Sequence, residues 1–198
     1  MKIVIFGNMG YVGPGVAERL RETYPTATLI GYDAGFFASC LTNVDYLPER
    51  KLDHQYFGDI RNVPDSVVEG ADVVVNLAAI SNDPMGTKFE EVTLDVNHKS
   101  GIKLAKRAKE LGVKSFVFAS SCSMYGGASD GAKTEDSTLN PLTAYARSKV
   151  FTEQDLKPLA DNNFTITCLR FATACGMSSR LRLDLVLNYF VACTVAWE

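Results

Sequence analysis

Tyr145 and Lys149 stand four residues apart in a Tyr-x-x-Ser-Lys run, with Ser148 between them. On a helix that spacing brings a phenol and an ammonium to one face. A tyrosine near its ordinary value of about 10 is a poor base at neutral pH, but a neighbouring cation stabilises its phenolate and moves it toward the working range. Taken alone, the pair also reads as solvated helix surface, where such combinations are common. A second hydroxyl-rich segment, Ser120-Ser121-Cys122-Ser123-Met124-Tyr125-Gly126, follows an apolar run in the same part of the chain.

A third group of residues opens the sequence. Gly7, Gly10 and Gly13 follow directly on Lys2–Phe6 in the spacing G-x-x-G-x-x-G, and Pro14 suits a first helical turn. In such a loop the first glycine permits the tight turn, the second lets backbone approach a pyrophosphate, and the third lets helix and strand pack closely. The helix N-terminus adds free N–H groups and a positive dipole. Asp33 lies twenty residues past Gly13, where a carboxylate accepts from adenosine ribose hydroxyls and repels a 2′-phosphate, so the spacing favours NAD over NADP. The plainer alternative makes the glycines a simple turn and Asp33 a loop cap; strand, spacing and acid together favour the phosphate reading. Asp59-Ile60 and Asn76-Leu77-Ala78-Ala79 also fall where strands end.

These residues require a scaffold that brings strand ends together. Lys2–Phe6, Thr28–Tyr32, Gln55–Phe57, Val73–Leu77, Ser115–Ala119 and Thr165–Leu169 read as strands. Helical periodicity is clearest over Pro14–Glu22, Phe89–Leu111 and Leu142–Leu159, with Gly112 placed as a C-terminal cap and Pro158 as a helix stop. The alternation predicts an α/β fold, a doubly wound parallel sheet of Rossmann type. Two stretches, Asp33–Asp53 and Ser120–Pro141, are irregular, and segments of that kind are usually functional.

The composition suits an ordinary globular domain: 198 residues, 46% hydrophobic and 22% charged. Twenty basic against 23 acidic residues, without a basic block, argue against a nucleic-acid partner. The longest apolar stretch, Leu185–Trp197, is interrupted by Asn188 and Thr194 and falls short of the roughly 20 residues a membrane span requires. The N-terminus lacks the pattern of a signal peptide, so the expected address is cytoplasmic. Five separated cysteines and two histidines offer no metal-ligand spacing, and most of the cysteines read as small buried hydrophobes.

The glycine triplet, Asp33, Asn-Leu-Ala-Ala, Ser-Ser-Cys-Ser-Met-Tyr-Gly, Tyr-x-x-Ser-Lys and Leu169-Arg170-Phe171 together resemble the extended short-chain dehydrogenase/reductase superfamily, in its branch of NAD-dependent sugar-nucleotide epimerases and dehydratases. The resemblance implies Tyr145 as base, Lys149 as its activator and cofactor anchor, and Ser121 as the hydroxyl that bonds the reacting sugar oxygen. It assigns NAD contacts to Gly7, Asn8, Met9, Gly10, Tyr11, Val12, Gly13, Asp33, Asp59, Ile60, Leu77, Ala78 and Ala79, and to Asn97, the match of an asparagine that helps position the lysine. In such enzymes the base takes a proton from a sugar hydroxyl while its carbon gives hydride to NAD. Family dehydratases commonly carry an Asp-Glu pair where this chain has Cys122 and Ser123, so the resemblance favours epimerisation. Dehydration, keto-sugar reduction and a non-catalytic dinucleotide-binding module are the alternatives. Cys122 is equally well read as a packing residue.

The resemblance further divides the chain into a cofactor domain, residues 1–172, and the start of a substrate-binding segment, residues 173–198. It implies a fragment whose substrate-binding part is truncated. Substrate contacts are expected from Ser121, Ser123, Tyr145, Thr173, Arg180 and Asn188, and Arg180 with Arg182 stands near an expected diphosphate, although solvated surface arginines fit nearly as well. Leu181–Trp197 reads as an amphipathic helix. A homodimer is implied, through a four-helix interface of Phe89–Leu111 and Leu142–Leu159.

Overall fold

The computed structural model describes residues 1–81, 88–127 and 131–196. Six strands form one parallel sheet: β1 (Lys2–Phe6), β2 (Thr28–Asp33), β3 (His54–Phe57), β4 (Val73–Asn76), β5 (Ser115–Ser121) and β6 (Thr165–Phe171). Their order is β3-β2-β1-β4-β5-β6, so the winding reverses between β1 and β4. Register follows the side-chain alternation, with Ile3 beside Leu29 and Val73, and Val4 beside Ile30 and Val74.

Each face of the sheet therefore has its own apolar set. Val4, Phe6, Ile30, Val74, Phe116 and Phe118 point to one side. There they meet Ile102, Ala105 and Ala108 of helix α4 (Ser100–Glu110) and Leu156 of α5 (Ala144–Leu156). Ile3, Ile5, Leu29 and Val75 point to the other side, against Ala17 of α1 (Gly13–Thr23). Burying each such side chain contributes about 1.5–3 kcal/mol, which fixes the register.

Helix ends follow local chemistry. Pro14 lies in the first turn of α1. Gly112 takes φ 81° after α4, where its N–H and that of Val113 close the last carbonyls. Pro158 stands where α5 gives way to a 3₁₀ turn, Lys157–Leu159. A one-turn helix, α2 (Asp65–Val68), follows β3.

Three expectations are corrected. The helix expected over Phe89–Leu111 runs as α3 (Glu90–Leu94), a π-helical turn (Asp95–Lys99) and α4. The helix expected from Leu181 starts at Val186 as α6 (Val186–Ala196), because Arg182 and Asp184 pair with each other and the Arg182 carbonyl accepts from Asn188. That helix is apolar on all sides rather than amphipathic, exposing Val186, Leu187, Tyr189, Phe190, Val191 and Val195; Trp197 lies outside the described residues. None of the five cysteines is fully buried, and Cys40 and Cys175 are exposed. No described helix is long and apolar enough to cross a membrane.

Candidate active site and cofactor cleft

The carboxyl ends of β1 and β4 flank the winding reversal, the place where an open α/β sheet leaves a crevice for a ligand. Gly7 sits there at φ +79°, and a Cβ on it would stand 2.5 Å from the Ala78 backbone nitrogen. Only a glycine permits both that conformation and that approach. At Gly10 a Cβ would find nothing closer than the Gly7 carbonyl oxygen at 3.4 Å, so the loop is open on that side. A Cβ on Gly13 would strike the Asn8 backbone; its closeness serves the loop itself rather than helix-to-strand packing.

The loop is braced by Asp33. Its carboxylate accepts from the Met9 N–H at 3.0 Å and the Gly35 N–H at 2.8 Å. Asn8, buried, donates to Gln55 Oε1 at 2.6 Å. No side chain caps α1, whose N-cap is Val12, so its first-turn N–H groups lack side-chain acceptors. Uncapped amides, an open glycine and a carboxylate at the end of β2 fit a dinucleotide, whose phosphates would lie at the helix N-terminus. Leu77, Ala78 and Ala79 are half-buried on the facing β4 loop. Two expected contacts have other surroundings: Ile60 is buried in the core, and Asp59 caps the 3₁₀ turn Ile60–Asn62. The Asp59 carboxyl is held below its usual range chiefly by hydrogen bonds from Arg61.

The second half of the site forms where β5 ends. Thr143 caps α5 by accepting the Ala146 N–H at 3.1 Å, which places Tyr145 in the first turn and Lys149 one turn later. Lys149 is 2% exposed. Its Nζ donates to the Ala119 carbonyl at 2.6 Å and lies 4.7 Å from the Phe118 ring centroid and 5.2 Å from that of Tyr145. Burial pushes its ammonium down to about 7. Ser121 is two residues beyond Ala119 on the same strand, and its Oγ accepts the Ser123 N–H at 3.2 Å to start the 3₁₀ turn Cys122–Tyr125. The hydroxyls of Ser120 and Ser123 are buried without a hydrogen-bond partner.

The side-chain hydrogen bonds of Asn97 go to Ile80 and to Ser148, the residue before Lys149. It projects from the π-helical turn, a feature frequent at functional sites. Its Oδ1 accepts the Ile80 N–H at 2.8 Å, while its Nδ2 donates to the Ile80 carbonyl at 3.0 Å and to Ser148 Oγ at 3.2 Å. Ser148 donates in turn to the Tyr145 carbonyl at 2.6 Å. Asn97 thus ties the β4 loop to the helix bearing Tyr145 and Lys149, and both ends of its amide are engaged in that tie rather than turned to a cofactor. Ser148 is the middle link, and its role was not read from the sequence.

Arg170 performs a similar service for the serine segment. Its Nη1 donates to Tyr125 Oη at 2.7 Å and to the Glu135 carbonyl at 2.9 Å, and its Nη2 pairs with Glu153 on α5 at 2.7 Å.

The last part of the chain arches back over the glycine loop. Tyr11 donates to the Gly176 carbonyl at 2.7 Å, and Ser178 to the Tyr11 carbonyl at 2.7 Å. Asn188 accepts the Gly176 N–H and donates to Tyr11 Oη and the Arg182 carbonyl, so it acts as a bracket within this arch. Arg180 is neither solvated nor directed to a diphosphate. It is 1% exposed, pairs with Glu49 at 3.0 Å and donates to the Phe37 and Ala38 carbonyls. It thereby holds the irregular segment after β2. Thr173 is exposed. Arg182 is clasped by Asp184 at 3.0 Å and donates to Ser81 Oγ at 2.8 Å, on the loop after β4.

The comparisons agree with this geometry. Residues 3–194 match the model of the NAD dependent epimerase/dehydratase family. A UDP-glucose 4-epimerase of Lactobacillus helveticus is 30% identical over 186 residues, 90% of this chain and 53% of the relative. Among solved structures, a UDP-glucuronic acid 4-epimerase from Bacillus cereus in complex with NAD superposes with TM-score 0.83 at 23% identity, over 100% of this chain and 64% of that one. An NAD dependent NDP-hexosamine 5,6-dehydratase, TunA, gives TM-score 0.83 at 24% identity, over 98% and 61%. The chain spans about half the length of the curated relatives it matches, 58% of one and 44% of another. With its glycine loop, winding reversal and Tyr-x-x-Ser-Lys helix all accounted for, the chain belongs to the NAD dependent epimerase/dehydratase family, and its cofactor is NAD.

Proposed function

We propose that this protein epimerises a nucleotide sugar, with Tyr145 as the base, Lys149 as its activator and Ser121 as the hydroxyl that aligns the reacting sugar oxygen. The observation that carries the reading is the convergence at the end of β5. Lys149 Nζ lies on the Ala119 carbonyl and 5.2 Å from the Tyr145 ring, and Ser121 is two residues further along that strand. NAD would be held by the glycine loop and the N-terminus of α1, and the chemistry it would supply there is reversible acceptance of a hydride from the sugar carbon. Tyr145 takes the hydroxyl proton and gives it back. Epimerisation over elimination is supported by Cys122 and Ser123, which leave the serine segment without a carboxylate to serve as acid and base for water loss. Five unpaired cysteines accord with a reducing, cytoplasmic setting.

The test is incubation of the chain with NAD and UDP-, dTDP-, GDP- and CDP-sugars, with products followed by mass and NMR. An isomer of unchanged mass is expected. A product lighter by one water would move the reading to dehydration, and NAD binding without any product would leave a dinucleotide-binding module. Tyr145→Phe should lower turnover by about 10²–10⁴-fold while sparing NAD affinity. Unaltered turnover in that variant would remove Tyr145 from the mechanism.

A further inference from the structure

The segment Gly176–Arg180 forms a strap between the glycine loop and the irregular segment after β2. On the first side Tyr11 donates to the Gly176 carbonyl at 2.7 Å, and its own carbonyl accepts from Ser178 at 2.7 Å. On the second side the Thr42 N–H donates to the Ser179 carbonyl at 3.0 Å. Arg180 then donates from Nε to the Phe37 carbonyl at 3.1 Å and from Nη2 to the Ala38 carbonyl at 3.4 Å, and its Nη1 stands 3.0 Å from Glu49 Oε1. Asp33, at the root of the same segment, accepts the Met9 N–H and so returns to the glycine loop. The contacts close a ring that runs from glycine loop to strap, to the segment after β2, and through Asp33 back to the glycine loop. The glycine loop and Asp33 are the parts of this ring that fit the adenosine and phosphate half of a dinucleotide.

The strap is fastened by a buried charge. The side chain of Arg180 is 1% exposed and that of Glu49 13%, so removing either leaves the other withdrawn from water without its partner. Glu49 belongs to the 3₁₀ turn Pro48–Lys51. That turn is itself held on α1, where Arg21 Nε donates to the Lys51 carbonyl at 3.0 Å and Lys51 pairs with Glu18 at 3.4 Å. The strap is therefore anchored to the helix whose N-terminus fits the phosphates, by way of side chains and not of the sheet. Its outer side faces water, with Gly176 and Met177 exposed. Arg180 grips by charge more than by alignment: Nη1 makes no hydrogen bond, and the bonds from Nε and Nη2 run from 3.1 to 3.4 Å. An element joined this way opens locally while the sheet stays folded.

We propose that Arg180 and Glu49 latch the strap across the cofactor cleft, and that NAD enters and leaves only when this latch opens, so the pair sets how long the cofactor is retained. Both are positioning residues, acting through the strap and not on the cofactor. The proposal concerns the NAD cleft alone and does not depend on Tyr145 being the base, so each of the two readings stands or falls by its own test.

The experiment follows release of NADH from the full chain, by loss of bound-cofactor fluorescence in stopped flow on chasing with excess NAD. Glu49→Gln and Arg180→Met are each expected to speed release by about tenfold or more. Association should become no slower, since an open strap obstructs neither direction. The charge-swapped double variant, Arg180→Glu with Glu49→Arg, should return part of the retention. Amide hydrogen exchange at Thr42, whose N–H is bonded to the strap, should quicken in Glu49→Gln without cofactor present. A purely structural role would lower the melting temperature and leave the release rate of the folded protein unchanged. Parent-like release in both single variants would overturn the proposal, as would faster release with unaltered exchange at Thr42, or a parent chain that holds no NADH. If Arg180→Met does not fold, release and Thr42 exchange in Glu49→Gln decide alone.

Discussion

Replacing Lys149 by methionine should stabilise the cofactor-free protein at low pH and not at high pH. The lysine is 2% exposed, and burial carries its ammonium from 10.5 to about 7. At about 1.4 kcal/mol per pH unit, that interval is worth roughly 5 kcal/mol at most. Because the folded value lies below the unfolded one, the unfolded chain holds more protons between about 7 and 10.5. The cost of keeping Lys149 is therefore complete below about 7 and is relieved as pH rises toward 10.5. Against this, methionine leaves the Ala119 carbonyl without its donor, a loss of about 1–2 kcal/mol. Lys149→Met should thus gain roughly 3 kcal/mol near pH 6, with the gain gone or slightly reversed near pH 10. Urea unfolding of both proteins at pH 6, 8 and 10 measures the difference. A difference that is flat with pH, or a methionine variant that is weaker at pH 6, would refute the reasoning. The expected result would mark Lys149 as a residue kept for chemistry against stability.

Two further outcomes follow from the geometry. Gly7→Ala meets both a backbone atom at 2.5 Å and a φ of +79°, and should cost about 2–3 kcal/mol and weaken NAD binding. Thermal unfolding and calorimetric titration with NAD check it, and unchanged values in both would mean the loop is not built as described. A homodimer through α3, the π-helical turn, α4 and α5 would have to use a face that is largely charged, with Lys99, Lys103, Lys106 and Arg107 beside Val92 and Phe151. Sedimentation equilibrium should show a dimer that Phe151→Glu splits; a monomeric parent protein removes this interface from the reading.

Much of the scaffold was legible because its signals are local. The inner strands β1, β2, β4 and β5 were readable from short β-branched and apolar runs, since a central parallel strand is covered on both faces, whereas the edge strands β3 and β6 are largely exposed and were legible from their place in the alternation with helices. Gly7, Gly10 and Gly13 stood out because the turn itself demands them, and the proline and glycine stops of α5 and α4 act within their own segments. The π-helical turn was not legible, because the periodicity of Phe89–Leu111 runs through it, and the residue it presents, Asn97, finds its partner Ile80 seventeen residues earlier. Ser148 was visible only as a spacer, since its partner Asn97 lies 51 residues away. Two nearby arginines were indistinguishable by type, yet one is buried beneath the segment after β2 and the other reaches Ser81 on the loop after β4.

By itself, then, the sequence determined the strand-and-helix alternation, the phosphate-binding turn and the candidate trio Ser121, Tyr145 and Lys149, all of which rest on backbone preference and short-range spacing. The tertiary structure alone decided how those groups are charged and held. The ionisation of Lys149, the tie from Asn97 through Ser148 to Tyr145, and the division of labour between Arg180 and Arg182 depend on burial and on partners brought together from distant parts of the chain, and neither quantity exists before the sheet has assembled.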